Sequence, residues 1–391
     1  MDVGDLRRIL SAEGLRLLDE VGPLDAMADV VRVVSKLRAA GHDGGLVAAV
    51  LEQARLRSRA KPKFGDFAAR MLFTPDGLEQ ATRLRVAALH AGRFAEIGVD
   101  VVADLGCGIG GDAMALAALD LGVIAVERDE LTAAVASFNL APFSAARVEL
   151  GSAEDADLAG VGAVWLDPAR RDGATRLSNP ADWSPSLDWA FELARRLPVG
   201  IKLGPGIDRD LIPDDVEAQW ISVDREVVEL VLWSGALARR EVRRSALVLG
   251  PAGASELTAS ADSADAETGH LAEYLLEPDG AIIRARLIGH LARSVDGRML
   301  DPTIAWITAH KPAVTPFGQS FRVIERFPLD LKTLKRELKA RDIGALEIKK
   351  RGVDIDPAQF RTKLALSGSG SATLVLTRIA GDRVAILAER L

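Results

Sequence analysis

The chain has 391 residues, enough for two or three domains, and its 48% hydrophobic and 27% charged residues are typical of a globular protein with a substantial core. A single cysteine, Cys107, excludes internal disulfides and cysteine metal clusters, and no apolar run is long enough to predict a membrane span. The net charge is −7 and residues 1–10 hold charges rather than an apolar leader, so we expect a cytoplasmic protein with no membrane partner.

Residues 1–92 are predicted to form a helical N-terminal domain. Apolar residues recur at steps of three and four over 17–37 and again over 46–54, with a break at 41–45. A further helix over 83–94 leads into the first predicted strand.

The centre of the chain is a predicted buried strand, 101–105, which ends in a glycine loop and leads into a helix over 113–119. Gly106, Gly108 and Gly110 allow the backbone to turn sharply and to approach a ligand closely. Two classes of ligand fit such a loop, and an ordinary turn without a ligand is the third possibility.

The first ligand class is a dinucleotide, because Gly106, Gly108 and Gly111 satisfy the G-x-G-x-x-G pattern of nicotinamide-dependent dehydrogenases. Asp104 argues against it, since a carboxylate suits the cationic amino group of S-adenosylmethionine better than a pyrophosphate. Glu127 ends the second predicted strand, 21 positions after Gly106, where an acidic residue typically binds ribose hydroxyls. The sequence therefore favours S-adenosylmethionine as the ligand.

Strands alternate with helices in the middle of the chain, which predicts βαβ units and a parallel sheet. The predicted strands of this sheet are 101–105, 122–127, 146–150, 163–166 and 199–203. Two strands at 220–223 and 226–233 are separated by two residues, which predicts a tight hairpin. One more strand, 245–249, precedes a stretch rich in Gly, Ala and Ser at 250–265, which we interpret as a linker.

The segment that directly follows the fourth of these strands holds an aspartate and two arginines: Asp167, Pro168, Ala169, Arg170 and Arg171. The carboxyl ends of the strands line the ligand crevice of an open α/β sheet, so this segment is predicted to face the site. The two arginines could hold a phosphate. The alternative is that the aspartate only caps the following turn.

The residues after 273 are predicted to form a smaller α/β or α+β unit. Its predicted helices and strands lie at 281–293, 304–308, 320–327, 329–340, 345–348, 357–364, 373–377 and 384–387. The helix over 329–340 is amphipathic, with Leu331, Leu334 and Leu338 on one face.

This end of the chain is basic. Residues 311–391 carry 16 Lys and Arg against 9 Asp and Glu, whereas the rest carries 33 against 47. Basic side chains lie on the polar face of the helix and at the strand end that follows. We expect the phosphates of RNA to be bound by Lys335, Arg336, Lys349, Lys350 and Arg351. An ordinary solvated surface is the alternative.

Several motifs together resemble those of the bacterial class I S-adenosylmethionine-dependent methyltransferases with a C-terminal THUMP-like domain. They are Leu72-Phe73-Thr74 with Gly77–Thr82, Asp104–Asp112, Asp167–Arg171 and Leu346–Asp356. The glycine loop and the Thr-Pro step before it are also similar to trimethylguanosine synthase. The resemblance covers nearly the whole chain.

The resemblance implies an α/β fold, with a Rossmann-like class I methyltransferase sheet, a helical N-terminal extension and a smaller C-terminal α+β THUMP-like domain. The expected segments are a helical domain at 1–92, the methyltransferase domain at 93–250, a linker at 251–272 and the THUMP-like domain at 273–391.

The resemblance also implies roles for individual residues. Cofactor binding would involve Thr74, Asp104, Gly106, Gly108, Gly110, Glu127 and, at the adenine, Ser152 and Asp155. Asp167, Pro168 and Arg170 would be catalytic, with Asp167 orienting a target amine. Methyltransferases that act on amino groups of nucleic acids carry Asp/Asn-Pro-Pro-aromatic here. Ala169 and Arg170 depart from that pattern, so the aromatic ring that would stack on a base is missing.

We therefore expect an S-adenosylmethionine-dependent methyltransferase that acts on RNA, at a tRNA or rRNA base. The histidines are scattered and show no metal spacing, so no metal is expected. Cys107 lies inside the glycine loop, where it cannot serve as an attacking thiol. The alternatives are methylation of a small molecule or a protein, and a non-catalytic RNA-binding protein that retains the cofactor fold.

Overall fold

The computed structural model describes residues 1–22, 24, 27–169, 171–172, 175–176 and 179–391. None of the helices within these ranges is long and apolar enough to cross a membrane. The chain divides into two compact units, the first Met1–Leu203 with Trp233–Ala238 and the second Gly204–Leu232 with Arg239–Leu391. The first boundary between the two units therefore lies directly after the fifth predicted strand, at Leu203, and not at residue 250.

The first unit begins with helices. They are α1 Val3–Ile9, α2 Ala12–Val21, α3 Met27–Ala39, α4 Gly44–Phe64, α5 Pro75–Gln80 and α6 Leu84–Glu96. The side chain of Asp43 caps the start of α4 by accepting a hydrogen bond from the Leu46 amide. The helix ends at Gly65, whose φ of 57° is left-handed.

The predicted parallel sheet follows, with each of its strands at the predicted bounds. The strands are β1 Val101–Leu105, β2 Gly122–Glu127, β3 Ala146–Leu150, β4 Ala163–Leu166 and, after the two-residue strands β5 Arg171–Asp172 and β6 Thr175–Arg176, β7 Val199–Leu203. The helices between them are α7 Gly111–Ala117, α8 Glu130–Leu140 and α9 Leu187–Ala194. The order across the sheet is β7-β4-β1-β2-β3, and every pair is parallel. The strand order changes direction between β1 and β4, and ligands of open α/β sheets bind at such a point.

Aromatic side chains fill one face of this sheet. The rings of Trp165 and Trp233 are 5.8 Å apart, and Phe94 of α6 contacts both edge-on. A Cβ atom at Gly200 would lie 2.7 Å from the Trp233 ring, so β7 carries glycine beneath the indoles. Burying these large rings fixes α6 on the sheet.

The second unit begins with a group of four strands. They are β8 Glu217–Val223, β9 Glu226–Trp233, β10 Arg244–Gly250 and β11 Gly253–Ala259, in the order β11-β10-β8-β9. The predicted tight hairpin is confirmed, because Asp224 and Arg225 between β8 and β9 both have positive φ. The linker prediction is wrong over β11, which pairs antiparallel with β10. β11 is a partly exposed edge strand that is rich in small residues. A loop has a similar composition, so the sequence did not distinguish the two.

A separate sheet with helices on it completes the second unit. The strands are β12 Tyr274–Pro278, β13 Arg298–Asp301, β14 Ile304–Ala309, β15 Gly318–Pro328, β16 Ile343–Lys350, β17 Gly370–Ile379 and β18 Asp382–Arg390. The helices are α10 Gly280–Arg284, α11 Ile288–Ser294, α12 Leu331–Ala340 and α13 Pro357–Leu364. The order is β13-β14-β12-β15-β18-β17-β16. The prediction of one helix over 281–293 is wrong, since Arg286 adopts a left-handed φ of 58° between α10 and α11.

Candidate functional site

The glycine loop between β1 and α7 packs closely against the end of β4. Gly106 has a φ of 82°, and a Cβ atom there would lie 2.7 Å from the carbonyl oxygen of Asp167. Both the backbone conformation and the contact therefore require glycine. The loop thus brings the predicted cofactor-binding strand and the predicted catalytic segment together.

Asp104, in β1, is 1% exposed, and neither of its carboxylate oxygens has a hydrogen-bond partner among the residues that the structure describes. Burial raises the pKa of Asp104 well above its usual value, and the negative charges of Asp112 and Asp167 raise it further, while Lys202 and the backbone amide of Ala113 oppose them. A buried carboxylate whose oxygens accept no well-formed hydrogen bond is costly. A cationic ligand group would supply the missing partner.

Glu127, at the end of β2, is attached to the glycine loop. One of its oxygens accepts a hydrogen bond from the Gly108 amide at 3.0 Å, and the other accepts one from the Asp129 amide at 2.9 Å. Each carboxylate oxygen can accept a second hydrogen bond, so the side chain can still bind hydroxyl groups.

The two residues predicted to lie at the adenine form a short turn after β3. The hydroxyl of Ser152 donates to a carboxylate oxygen of Asp155 at 2.7 Å. Thr74, another predicted cofactor residue, caps α5, where its hydroxyl oxygen accepts a hydrogen bond from the Gly77 amide at 3.0 Å. α5 lies against the glycine loop, because a Cβ atom at Gly77 would be 2.4 Å from the side chain of Ile109.

Asp167 follows β4 and forms an ion pair that the sequence did not predict. Leu166 of β4 is in register with Ile201 of β7, so the next residues, Asp167 and Lys202, are neighbours. Lys202 Nζ lies 2.6 Å from Asp167 Oδ2. The available signal was a lysine inside an apolar strand predicted to be buried on both faces. Arg170 lies outside the described residues.

A second unpredicted cluster surrounds Asp112, in the first turn of α7. Its carboxylate accepts a hydrogen bond from Thr82 Oγ1 at 2.6 Å and lies 3.0 Å from Nδ1 of His90. Burial alone would raise the pKa of Asp112, but the hydrogen bond and charge of His90, with Lys202 and Thr82, lower it overall. The cluster holds α7, and therefore the glycine loop, against α6.

The surroundings of the loop cysteine disfavour ionisation of its thiol. Burial raises the pKa of Cys107 well above its usual value, and the charges of Asp104 and Glu127 add to this effect. A thiol must ionise to act as a nucleophile, so the environment disfavours that role.

Buried side-chain amides attach the N-terminal helices to the glycine loop. Asn139 of α8 donates to the carbonyl oxygens of Ile109 and Leu72 and accepts from the Leu72 amide. Gln53 of α4 donates to the carbonyl oxygen of Phe73 and accepts from its amide. The extended segment Met71–Phe73 is therefore held from two sides.

The predicted RNA-binding residues do not share one surface. Lys350 is in register with Leu376, which belongs to the core cluster that α12 covers. Lys349 is in register with Val375, which belongs to the cluster on the opposite face of the sheet. The two lysines are therefore on opposite faces. Lys349 and Arg351 both lie within 3.5 Å of the Glu277 carboxylate. The other two, on α12, are exposed, and Arg336 contacts the neighbouring Glu337.

Comparison with known proteins agrees with this geometry. Uncharacterized S-adenosylmethionine-dependent methyltransferases of two Mycobacterium tuberculosis strains, CDC 1551 / Oshkosh and ATCC 25618 / H37Rv, are each 33% identical over 345 residues, which cover 84% of this chain and 92% of theirs. The chain belongs to the S-adenosylmethionine-dependent methyltransferases. Residues 318–390 of this methyltransferase match the THUMP domain-like family, and residues 2–60 match a domain of unknown function, DUF8688.

A solved structure described as a methyltransferase from Porphyromonas gingivalis W83 shares the fold of the whole methyltransferase. The TM-score is 0.71 at 22% identity, and the match covers 94% of this chain and 99% of that one. The predicted α/β fold with a THUMP-like C-terminal domain is therefore confirmed.

S-adenosylmethionine is the cofactor of the methyltransferase, and the residues at the carboxyl end of the sheet fit it. The buried carboxylate of Asp104 lacks a partner among the described residues, which suits a cationic amino group. The loop leaves room, since nothing lies within 4 Å of a Cβ atom at Gly108. Glu127 stands beside that loop with acceptor capacity for hydroxyl groups.

Proposed function

We propose that this methyltransferase transfers its methyl group to RNA. The observation that carries the proposal is the THUMP-like match over residues 318–390, on the same chain as the methyltransferase sheet. The resemblance to THUMP domains implies RNA binding. The basic charge of this end of the chain supports the same substrate class, because phosphates bind to Lys and Arg with release of counterions.

The helix α12 offers the most suitable surface for that interaction. Leu334 and Leu338 are fully buried and anchor the helix to the sheet. The exposed cations on its other side are Lys332, Lys335, Arg336 and Lys339. Lys350 is exposed as well, whereas Lys349 and Arg351 are engaged with Glu277. We therefore place the RNA surface on α12 and Lys350.

In the methyltransferase unit, each polar group at the strand ends has a distinct role. When bound, S-adenosylmethionine supplies a methyl group made electrophilic by its sulfonium. Asp104 binds the amino group of the cofactor, Glu127 binds the ribose hydroxyls, and Asp155 with Ser152 binds the adenine. Asp167 orients the nucleophile in line with the methyl group, and alignment of this kind lowers a barrier substantially.

The test is methylation by the full chain with methyl-labelled S-adenosylmethionine, offered total bacterial RNA, a protein extract and a small-molecule extract in parallel. We expect label in RNA. The Asp167→Ala variant should lose turnover by about 10²-fold or more while keeping its affinity for S-adenosylmethionine, because the contact acts in the transition state. The exposed Asp188 gives a matched control, Asp188→Ala, with parental activity. Label in protein or small molecules alone would contradict the RNA proposal.

A further inference from the structure

The ion pair between Lys202 and Asp167 lies where two neighbouring parallel strands, β4 and β7, reach the carboxyl edge of the sheet. The lysine side chain is 10% exposed and the aspartate side chain 29% exposed. Removing an ammonium group from water costs several kcal/mol even when it is paired. An apolar residue in β7 would avoid that cost. The lysine is therefore expected to serve a purpose other than stability.

The ion pair places a hydrogen-bond donor and a hydrogen-bond acceptor side by side, where one substrate group could contact both. The ammonium group of Lys202 only donates, and the carboxylate of Asp167 only accepts. The carboxylate can accept further hydrogen bonds beyond the one from Lys202, since each oxygen has two acceptor positions. A substrate group that both donates and accepts through a single atom would match the pair.

Nucleophiles differ in how well they match. Lys202 already donates to Asp167 and, at 3.4 Å, to the carbonyl oxygen of Gln80. The exocyclic amine of a nucleobase has two N–H donors, and its lone pair is delocalised into the ring, so it would donate to Asp167 but accept no further hydrogen bond from Lys202. A hydroxyl oxygen donates one hydrogen bond and accepts others. In addition, the sequence has Arg170 at the position, three after Asp167, where an aromatic ring that stacks on a base would be expected. Both observations favour an oxygen nucleophile.

We infer that the methyl acceptor is a hydroxyl group, which Lys202 and Asp167 hold together as catalytic residues. The substrate O–H donates to Asp167, and its oxygen accepts from Lys202. The choice of substrate rests on the proposed function: in RNA, the hydroxyl that recurs along the chain is the ribose 2′-OH. The inferred reaction is therefore 2′-O-methylation of RNA rather than methylation of a base amine.

The methyl transfer forms one bond and breaks one bond. A lone pair of the hydroxyl oxygen forms the O–CH3 bond as the bond between the methyl carbon and sulfur breaks, and that bonding pair remains on sulfur. The O–H proton passes to the carboxylate of Asp167 and then to water. Lys202 stabilises the negative charge that develops on oxygen, and a preorganised donor of this kind contributes strongly in a site shielded from water.

The first experiment identifies the product. RNA labelled by the parent protein is digested to nucleosides and analysed by mass spectrometry, and a second portion is hydrolysed in alkali, which leaves 2′-O-methylated dinucleotides intact. We expect 2′-O-methyl nucleosides and label in the alkali-stable dinucleotides. Label on a base nitrogen or carbon overturns the inference and leaves the RNA proposal standing. An O-methyl product in the small-molecule or protein extract alone supports the inference and overturns the RNA proposal, and no methylated product from any source overturns both.

The second experiment separates chemistry from structure at Lys202. Lys202→Met keeps the length of the side chain and removes its charge, and we expect kcat to fall about 10²-fold or more with the Kd for S-adenosylmethionine unchanged. Lys202→Arg should recover part of the loss, because it restores a charged donor. A Lys202→Met variant that binds the cofactor and turns over within twofold of the parent overturns the role of the lysine. If the Lys202→Met variant does not fold, the role of the lysine is tested by the kcat of Lys202→Arg, and the identity of the methyl acceptor is tested by the product analysis.

Discussion

The environment of Asp104 is unfavourable to the folded protein. Its carboxylate is buried, lacks a hydrogen-bond partner among the described residues, and lies near two other carboxylates. Because its pKa is raised in the folded state, ionisation of Asp104 opposes folding once the pH exceeds the unfolded value of about 4. Its contribution to stability therefore falls as the pH rises from there towards the folded-state pKa. A residue that costs stability in this way is expected at a binding site.

We predict that Asp104→Asn stabilises the free protein at neutral pH by about 1 kcal/mol or more, because it removes a buried charge without a partner. The same change should weaken S-adenosylmethionine binding by about 10- to 100-fold through the loss of a charge-assisted hydrogen bond. Thermal unfolding between pH 5 and 8 (roughly the accessible range) and calorimetric titration measure the two effects.

Asp112 provides the matched control, because its partners lower its pKa. Its stabilisation is therefore present above the unfolded pKa and is lost as the pH falls through the folded-state pKa. Asp112→Asn should lower the melting temperature at neutral pH, opposite in sign to Asp104→Asn. The interpretation of Asp104 would be wrong if its variant were less stable than the parent and bound the cofactor equally well.

At the scale of elements, the loop between β1 and α7 shows that two glycines of one motif are required for different reasons. Gly106 and Gly108 both have positive φ, but a Cβ atom at the first would contact the carbonyl oxygen of Asp167, whereas a Cβ atom at the second would meet nothing within 4 Å. Backbone atoms of a central strand cannot move aside as a flexible side chain can.

We therefore predict that Gly106→Ala is more destabilising than Gly108→Ala. Gly108→Ala should cost about 1–2 kcal/mol, the strain of a left-handed alanine. Gly106→Ala adds the steric conflict with Asp167 and should also lower kcat, because that residue moves. Chemical denaturation and steady-state kinetics of both variants test the difference, and equal losses of stability would show that the close contact with β4 is unimportant.

The bounds of the strands in the parallel sheet could be predicted from the sequence. β1, β2, β4 and β7 are mostly apolar and largely buried, as parallel strands covered by helices require, whereas the partly exposed β3 followed from the alternation of strands with helices. β11, β12 and β13 were not predicted, because β11 is rich in small residues and β12 and β13 are only five and four residues long. The break at Arg286 between α10 and α11 was not predictable either, because a left-handed arginine has no local signature.

At the scale of the whole molecule, the charge is divided between an acidic body and a basic end. The composition predicted that division, but the sequence could not show which cations are available. Glu277 of β12 neutralises Lys349 and Arg351, which lie more than 70 positions further along the chain. Similarly, Lys202 and Asp167 are separated by 35 positions and meet only because β4 and β7 are adjacent. Pairings between distant positions account for most of the site features that the sequence could not predict.

We predict that replacing Lys335, Arg336, Lys339 and Lys350 with Glu weakens RNA binding and lowers the slope of log affinity against log salt by about one for each cation that no longer binds a phosphate. Affinity for S-adenosylmethionine should not change. Filter binding at several salt concentrations, together with calorimetry, measures both.

A variant with the same change in charge controls for net charge. It carries Glu at four exposed basic positions of the first unit: Lys36, Arg38, Arg195 and Arg196. If this control loses as much RNA affinity as the α12 variant, the effect comes from overall charge, and α12 is only a solvated surface.

The segment Met71–Phe73 has no regular secondary structure, yet its amides should exchange with solvent as slowly as those of the central strands. The Leu72 and Phe73 amides donate to Asn139 and Gln53, and both residues are fully buried. Exchange from such a position requires opening of α4 and α8 rather than local fraying of a loop. In a deuterium-exchange experiment, this segment would report on the cooperative unfolding of the methyltransferase core, and Asn139→Ala should release Leu72 to rapid exchange.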